Sequence, residues 1–324
     1  MHARHVAYGL DLRCSFPLPG MRTAAGEGLP RLTLELLAPA ELKDAWSGSD
    51  RPPEWRGRLG DGLDLAIERG TSGDLLFSYG AQAPAGDDRA RFRLHDGMQR
   101  LDCAPTRPGL DWQRVLLGKV LPAISVMRGY EALHAAAVDA PAGVLAIMAP
   151  SGAGKSTLAS ELLRRGWPLF ADDQLTLEHV QGTVRAHPGT PHMNLASKGL
   201  PDAVDPRTLG VTLSILAGER WLAAHKTEQR PRPVRMLCLL ERGPDLRLEA
   251  HPLPANPLPL APYMLGLSID AERQRSCFDL YADLMESAAL VRVTAGPAHR
   301  PAQLADLLEQ ALVGRSELPA GAIA

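Results

Sequence analysis

In the first hundred or so residues, short runs of alternating or continuous apolar residues follow one another at 32–37, 63–68, 75–79, 90–94 and 98–104. Turn-forming clusters such as Pro52-Pro53 and Gly86-Asp87-Asp88 separate them. A period of two bounded by such clusters predicts strands, so residues 1–108 read as a β-rich N-terminal domain. Asp11, Glu35, Asp64 and Arg93 stand singly in or beside these runs, as charges on a solvated strand face do.

The period then lengthens. Trp112, Val115, Leu116 and Val120 share one face at helical spacing, with Asp111 placed as N-cap and Pro122 placed to bend or end the first part. Residues 132–138 and 144–148 read as strands. A helical pattern follows in Leu158, Ala159, Leu162 and Leu163, and residues 169–171 and 175–178 read as two further short strands. Residues 187–233, rich in Pro, Gly, His and Arg, read as one long loop-rich segment of the kind that forms lids and binding loops. Residues 234–240 and 246–250 read as a strand pair turning at Arg242-Gly243-Pro244-Asp245. A helix at 271–288 buries Cys277, Leu280, Tyr281, Leu284 and Met285. A strand at 290–293 and an amphipathic helix through Leu304, Leu307, Leu308 and Ala311 close a second domain at 109–314, leaving 315–324 as a flexible tail. No internal repeat is visible. The class is α/β, or α+β overall: an α/β core behind a β-rich domain.

Composition narrows the partners. The chain has 324 residues, 45% hydrophobic and 22% charged, the balance of a globular protein. A formal charge of −2 argues against nucleic acid as a main ligand, which needs a basic face. Cys14, Cys103, Cys238 and Cys277 show no metal-binding spacing and read as reduced thiols. Met1-His2-Ala3-Arg4-His5 lacks the charged-then-apolar order of a secretion signal, and no apolar run approaches the ~20 residues of a membrane span. The expectation is a soluble cytoplasmic protein with no membrane partner; oligomerisation is left open.

The chemistry sits between the strand at 144–148 and the helix that follows: Ala149-Pro150-Ser151-Gly152-Ala153-Gly154-Lys155-Ser156-Thr157. A glycine-rich turn there aims successive backbone N–H groups at one point, and the helix N-terminus adds positive potential. Lys155 is then placed for the β- and γ-phosphates and the Ser156 hydroxyl for Mg²⁺. This is a phosphate-binding loop of the Walker A type, with Ser151 to Thr157 as nucleotide-binding positions. One departure is Ala149 where glycine is usual, a mild replacement. The bland reading is a Gly/Ser turn that merely caps a helix.

Phosphoryl transfer also needs metal ligands, a group on the nucleophile, and cations for the developing charge. Asp172 and Asp173 end a strand that begins right after the helix, so a compact core returns them to the loop. Alone, they would read as a solvated turn. His134, on an apolar segment, is either a hydrogen-bonded core residue or a partner that tunes one of these carboxylates. Lys226, Arg230, Arg232 and Arg235, at the start of the 234–240 strand, are candidate phosphate or substrate contacts, any one of them equally a solvated charge. His192 and Lys198 are weaker candidates.

Leu133-His134-Ala135-Ala136-Ala137-Val138, the loop, and Arg165-Gly166-Trp167-Pro168-Leu169-Phe170-Ala171-Asp172-Asp173 together resemble the HPr serine kinase/phosphorylase superfamily. They look most like its shorter relatives, the HPr-kinase-like serine kinases of lasso-peptide and related peptide-modification clusters. The likeness covers residues 134–178 well and the rest of the C-terminal domain loosely. It implies a mixed sheet with antiparallel strands, as in HPr kinase and phosphoenolpyruvate carboxykinase, with ATP and Mg²⁺ as cofactors. It also implies Asp172 as general base on the acceptor serine, Asp173 as its metal-proximal neighbour, and His134 beside them; Lys155 and Ser156 are implied as the phosphate and Mg²⁺ contacts.

Two departures bear on the acceptor. Bifunctional members carry Glu where this chain has Thr157, and their downstream E-x-R-G-x-G has only a poor echo in Ser197-Lys198-Gly199-Leu200-Pro201. Both argue against HPr itself as substrate and against phosphorolysis. The N-terminal half matches no motif of the HPr kinase N-terminal domain.

The expectation is therefore a kinase of a serine hydroxyl on a peptide or small protein, a lasso-type precursor peptide by analogy. A kinase of a free amino acid or other small alcohol is the competitor within the class. A non-catalytic nucleotide-sensing peptide-binding protein, with the N-terminal half adding a peptide strand to a sheet edge, is the alternative outside it. A transporter or motor ATPase would need an Asp-Glu strand end and a Ser-Gly-Gly-Gln-like signature, and neither is present.

Overall fold

Tyr8 and Gly9 both take left-handed backbone conformations, φ 55° and 73°. Two consecutive positive-φ residues make the tight turn that matches the twist of a hairpin, here between β1 (Ala3–Ala7) and β2 (Leu10–Cys14). Gly9 is also sterically required, because a Cβ there would stand 2.8 Å from the Tyr130 ring. The computed structural model describes residues 2–49, 51–59, 62–80, 89–196, 205–250, 258–265 and 271–316. The Gly86-Asp87-Asp88 cluster, the segment 197–201 with Lys198, and the tail from 317 lie outside the described residues.

The N-terminal chain continues through β3 (Arg31–Leu36), α1 (Pro39–Ala45), β4 (Trp55–Arg58), β5 (Asp64–Arg69), β6 (Leu75–Tyr79), β7 (Ala90–Leu94) and β8 (Arg100–Pro105). Among the described residues these strands form one sheet in the order β1-β2-β3-β8-β7-β6-β5-β4. The β2–β3 and β3–β8 pairs are parallel. Alternation sets the faces: Ala90, Phe92 and Leu94 of β7 are buried, while Arg91 and Arg93 between them are partly exposed.

The apolar face is covered by a helix in three segments: α2 (Asp111–Val115), a π turn at Leu116–Val120, and α3 (Leu121–Met127). Asp111 is the first helical residue rather than the cap, and Leu110 caps without a side-chain bond. Pro122 does not end the helix. It lies in the first turn of α3, straight after the wide π turn, where a missing N–H and the ring's bulk are accommodated. Trp112, Val115, Leu116, Val120 and Ile124 pack with Leu10, Leu34, Phe77 and Phe92 into one core, which also takes in Trp221. The first apolar core therefore runs past residue 108, the boundary read from the sequence.

The remaining strands are β9 (Glu131–Leu133), β10 (Ala135–Ala140), β11 (Gly143–Met148), β12 (Leu169–Ala171), β13 (Leu175–Val180), β14 (Thr183–His187), β15 (His192–Ala196), β16 (Gly210–Leu216), β17 (Glu219–Ala224), β18 (Arg232–Arg242), β19 (Arg247–Ala250) and β20 (Ala289–Ala295). The helices among them are α4 (Lys155–Arg164), α5 (Pro206–Leu209), α6 (Ala271–Ser287) and α7 (Pro301–Ser316). Among the described residues a nine-stranded mixed sheet runs β12-β10-β11-β18-β14-β13-β9, with β20 beside β18 and β19 beside β20. β11 is antiparallel to β10 and parallel to β18, and β18 is parallel to β20.

Both faces of this sheet are covered. Leu145, Ile147, Met236 and Leu240 pack under Leu158 and Leu162 of α4 and Leu304 and Leu308 of α7. Ala146, Met148, Leu237 and Leu239 pack under Cys277, Leu280, Tyr281 and Leu284 of α6. A strand buried on both faces has no polar alternation, which is why 144–148 and 236–240 are unbroken apolar runs.

Two expectations change. β18 and β19 are not a hairpin: β20 lies between them, antiparallel to β19, with Leu290, Val291 and Val293 buried in the cores on the two sides of the sheet. Residues 187–233 are not one loop. They hold β15, β17 and β16 as a three-stranded antiparallel sheet. Among the described residues no helix is long and apolar enough to cross a membrane.

Candidate functional site

β11 ends at Met148 and α4 begins at Lys155, so the glycine-rich segment is the turn between a buried central strand and a helix N-terminus. Gly152 and Gly154 are left-handed, φ 76° and 107°, and Gly154 is the N-cap of α4. A side chain is strained in that region whatever the space around it. Ala149 is buried and is not left-handed, so the backbone there makes no demand for glycine.

The loop's chemistry meets three other elements. His134 occupies the break between β9 and β10, where its N–H is taken by the Tyr263 carbonyl at 2.6 Å. Lys155, at the buried first turn of α4, donates to His134 Nε2 at 3.1 Å. Nε2 thus accepts, and Nδ1–H donates to the Asp173 carbonyl at 2.9 Å and faces its Oδ1 at 3.1 Å. Ser156 Oγ donates to Asp172 Oδ1 at 3.1 Å, and the Asn194 N–H donates to Asp172 Oδ2 at 2.7 Å. The ammonium of Lys119, from the π turn, pairs with Asp173 Oδ2.

The adjacent carboxylates are separated by backbone. Asp173 is left-handed, φ 70°, so its side chain turns to His134 and Lys119 while Asp172 faces Ser156. Their acidities part accordingly. Burial pushes Asp172 up to about 6 and the neighbouring Asp173 charge adds to this, against the Asn194 N–H, Lys155 and Ser156. Burial also pushes Asp173 up, but Lys119 and His134 outweigh it and hold that carboxyl well below the usual range. Two carboxyls with divergent acidity are how one site sets a proton acceptor beside a fixed charge.

These groups line one cavity of about 900 Å³, a size that admits a cofactor-sized ligand. Its wall includes Ser151, Gly152, Ala153, Gly154, Lys155, Ser156, Thr157, His134, Asp172 and Asp173, with Arg114, Lys119, Asn194, Arg242 and His299.

The other predicted cations are elsewhere. Val144 pairs with Val234 and Met148 with Leu239, so the start of β18 lies at the opposite end of the sheet from the loop. Arg232 pairs there with Asp139 at 3.0 Å, and Arg235 donates to the Ala142 carbonyl at 3.1 Å. Arg230 pairs with Glu228, and Lys226 lies beside Gly166 past the far end of α4. None of the four lines the cavity. His192 is a core residue, stacked 4.6 Å from Trp221 and bonded to the Pro19 carbonyl, its burial lowering it to about 4 against that bond.

Besides Lys155, the cavity holds cations that no local pattern marks. Arg242 closes β18, the parallel neighbour of β11, and a Cβ at Gly154 would lie 3.5 Å from its guanidinium. Among the described residues it has no carboxylate partner. Arg114 is paired with Glu219 at 2.5 Å. Asp172 is the carboxylate beside Ser156, while Asp173, expected next to the metal, faces His134 and Lys119.

The donors fit Mg²⁺ and a nucleotide. Ser156 and Asp172 present hard oxygens, which suit Mg²⁺, and the left-handed glycines open an anion cradle at a helix N-terminus. Among the described residues no three His, Cys, Asp or Glu side chains are placed to hold a metal ion, so phosphate oxygens and water would complete the shell.

No protein-family model and no curated protein matches the chain. The solved Hpr(Ser) kinase/phosphatase from Coxiella burnetii superposes with a TM-score of 0.34 at 11% identity, over 57% of this chain and 98% of that one. A superposition of that quality carries no argument about activity.

Proposed function

We propose that the protein is an ATP- and Mg²⁺-dependent kinase of an alcohol, with a serine of a peptide or small protein as acceptor. One observation carries the reading: in one cavity at the N-terminus of α4, Lys155 bonds His134 and His134 bonds Asp173, while Ser156 bonds Asp172, the carboxyl next along the chain. A turn that only capped a helix would not gather a buried and a half-buried carboxyl with opposed acidity.

In this reading the loop N–H groups and Lys155 hold the β- and γ-phosphates. Ser156 would hold Mg²⁺; when bound, the ion neutralises charge on the β- and γ-oxygens. The acceptor oxygen forms its bond to the γ-phosphorus as the β–γ bridging bond breaks, and ADP leaves. Asp172 orients the hydroxyl and takes its proton, as a carboxyl titrating near neutrality is suited to do. Asp173 stays ionised and anchors His134. Arg242 bears charge on the transferred group.

The peptide acceptor, of the lasso-precursor kind, rests on the sequence resemblance; a free small alcohol is the competitor. Incubation with Mg²⁺, ATP and candidate acceptors, followed by intact mass, decides: a gain of about 80 Da per phosphoryl group supports transfer. Steady release of inorganic phosphate with no acceptor modified would sink the kinase reading.

A further inference from the structure

We infer that Lys119 is a positioning residue of this site: delivered by the π turn of the helix that covers the N-terminal sheet, it fixes Asp173, and through Asp173 it fixes His134 and Lys155. The contact stands on geometry; its catalytic consequence rests on the kinase reading above.

The helix pattern shows why the turn matters. At about 100° per residue, an unbroken α-helix would set Lys119 at the centre of the face made by Trp112, Val115 and Leu116. Those three are buried against the sheet, and an ammonium among them would have no partner. The π turn at Leu116–Val120 inserts an extra residue into the winding. Leu116, Leu117 and Val120 stay in the core, while Gly118 and Lys119 face the cavity. One helix thus packs on one sheet and arms the active site of the other.

Asp173 depends on what Lys119 provides. Its left-handed backbone is uncommon for a residue with a side chain, and the conformation persists where surroundings over-determine it. His134 binds its carbonyl and faces Oδ1; Lys119 takes Oδ2. Without the ammonium, a half-buried carboxylate loses the ammonium it pairs with, and the His134–Lys155 contact loses its anchor.

The test combines thermal melting with single-turnover transfer, using wild type, Lys119→Met, Lys119→Arg, Asp173→Asn and the double variant Lys119→Met/Asp173→Asn. Lys119→Met lowers the melting temperature by about 3–6 °C in the wild-type background and by less than about 1 °C with Asn at 173. It slows transfer about 10- to 100-fold with KM for ATP changed less than about threefold, and Lys119→Arg restores part of the rate. Equal melting shifts in both backgrounds, or a folded Lys119→Met that transfers at the wild-type rate, overturns the inference. If the wild type modifies no acceptor, the kinase reading falls, and the melting comparison alone decides whether Lys119 fixes Asp173.

Discussion

The two large sheets are built on opposite plans. The N-terminal sheet buries one broad face under a single helix, and its strands alternate: Phe92 inward, Arg91 and Arg93 partly exposed. Its far side carries a small cluster of Leu42, Leu76 and Ala104, with Trp46 against it. The nine-stranded sheet is covered on both sides, and β11 and β18 are apolar throughout their middles. Chemistry gathers where those doubly buried strands end, because a strand held from both faces fixes the loop that leaves it. The N-terminal sheet touches that chemistry through one helix, and in particular through Lys119. A rigid core positions the cradle, and a half-wet sheet lends a side chain to it.

Breaking the cradle gives the largest effect: Lys155→Ala lowers phosphoryl transfer about 10³-fold or more, read by single-turnover assay. Stability separates the sheets next. Leu145→Ala, fully buried under α4, costs about 2–5 kcal/mol in chemical denaturation. Leu36→Ala on the N-terminal sheet, 48% exposed, changes it by no more than about 0.5 kcal/mol. The two ends of β18 should differ as well. Arg242→Ala at the cavity lowers kcat/KM about 10- to 100-fold, while Arg235→Ala at the far end leaves it within about twofold.

The smallest effect concerns the apo protein. Because burial raises Asp172 from 3.8 to about 6, the folded state binds its proton more readily than the unfolded chain. Its contribution to stability therefore falls as pH rises from about 4 to about 6 and stays lost above. Asp172→Asn accordingly makes the nucleotide-free protein more stable at pH 7 by about 1–3 kcal/mol, and the gain disappears below about pH 4. An equal difference at both pH values would contradict the assigned burial penalty.

Contiguous features were the legible ones. Ser151 to Thr157 announce themselves because turn, ammonium and hydroxyl lie side by side in the chain, and Asp172-Asp173 follow at the next strand end. Arg242 and Asn194 reach the cavity only through strand pairing over long separations, which local pattern does not encode. Arg242 opens the turn-forming run Arg242-Gly243-Pro244-Asp245, although a parallel neighbour of the loop strand must end beside the loop. Lys119 left a trace as a charge in the middle of an apolar helical face, resolved by a π turn that regular periodicity does not anticipate. The strand at 210–216 also alternates, Val211, Leu213 and Ile215 against Thr212 and Ser214, but its Pro-, Gly- and His-rich surroundings outweighed it. Val211 and Ile215 are exposed, so no core face reinforced the signal.

The central claim is that Asp172 meets the acceptor hydroxyl at the phosphate held by Lys155. Single-turnover transfer by Asp172→Asn, measured beside its affinity for MgATP, tests it most directly. Transfer falls by about 10³-fold while ATP affinity changes less than about threefold. Transfer at the wild-type rate by that variant would contradict the account.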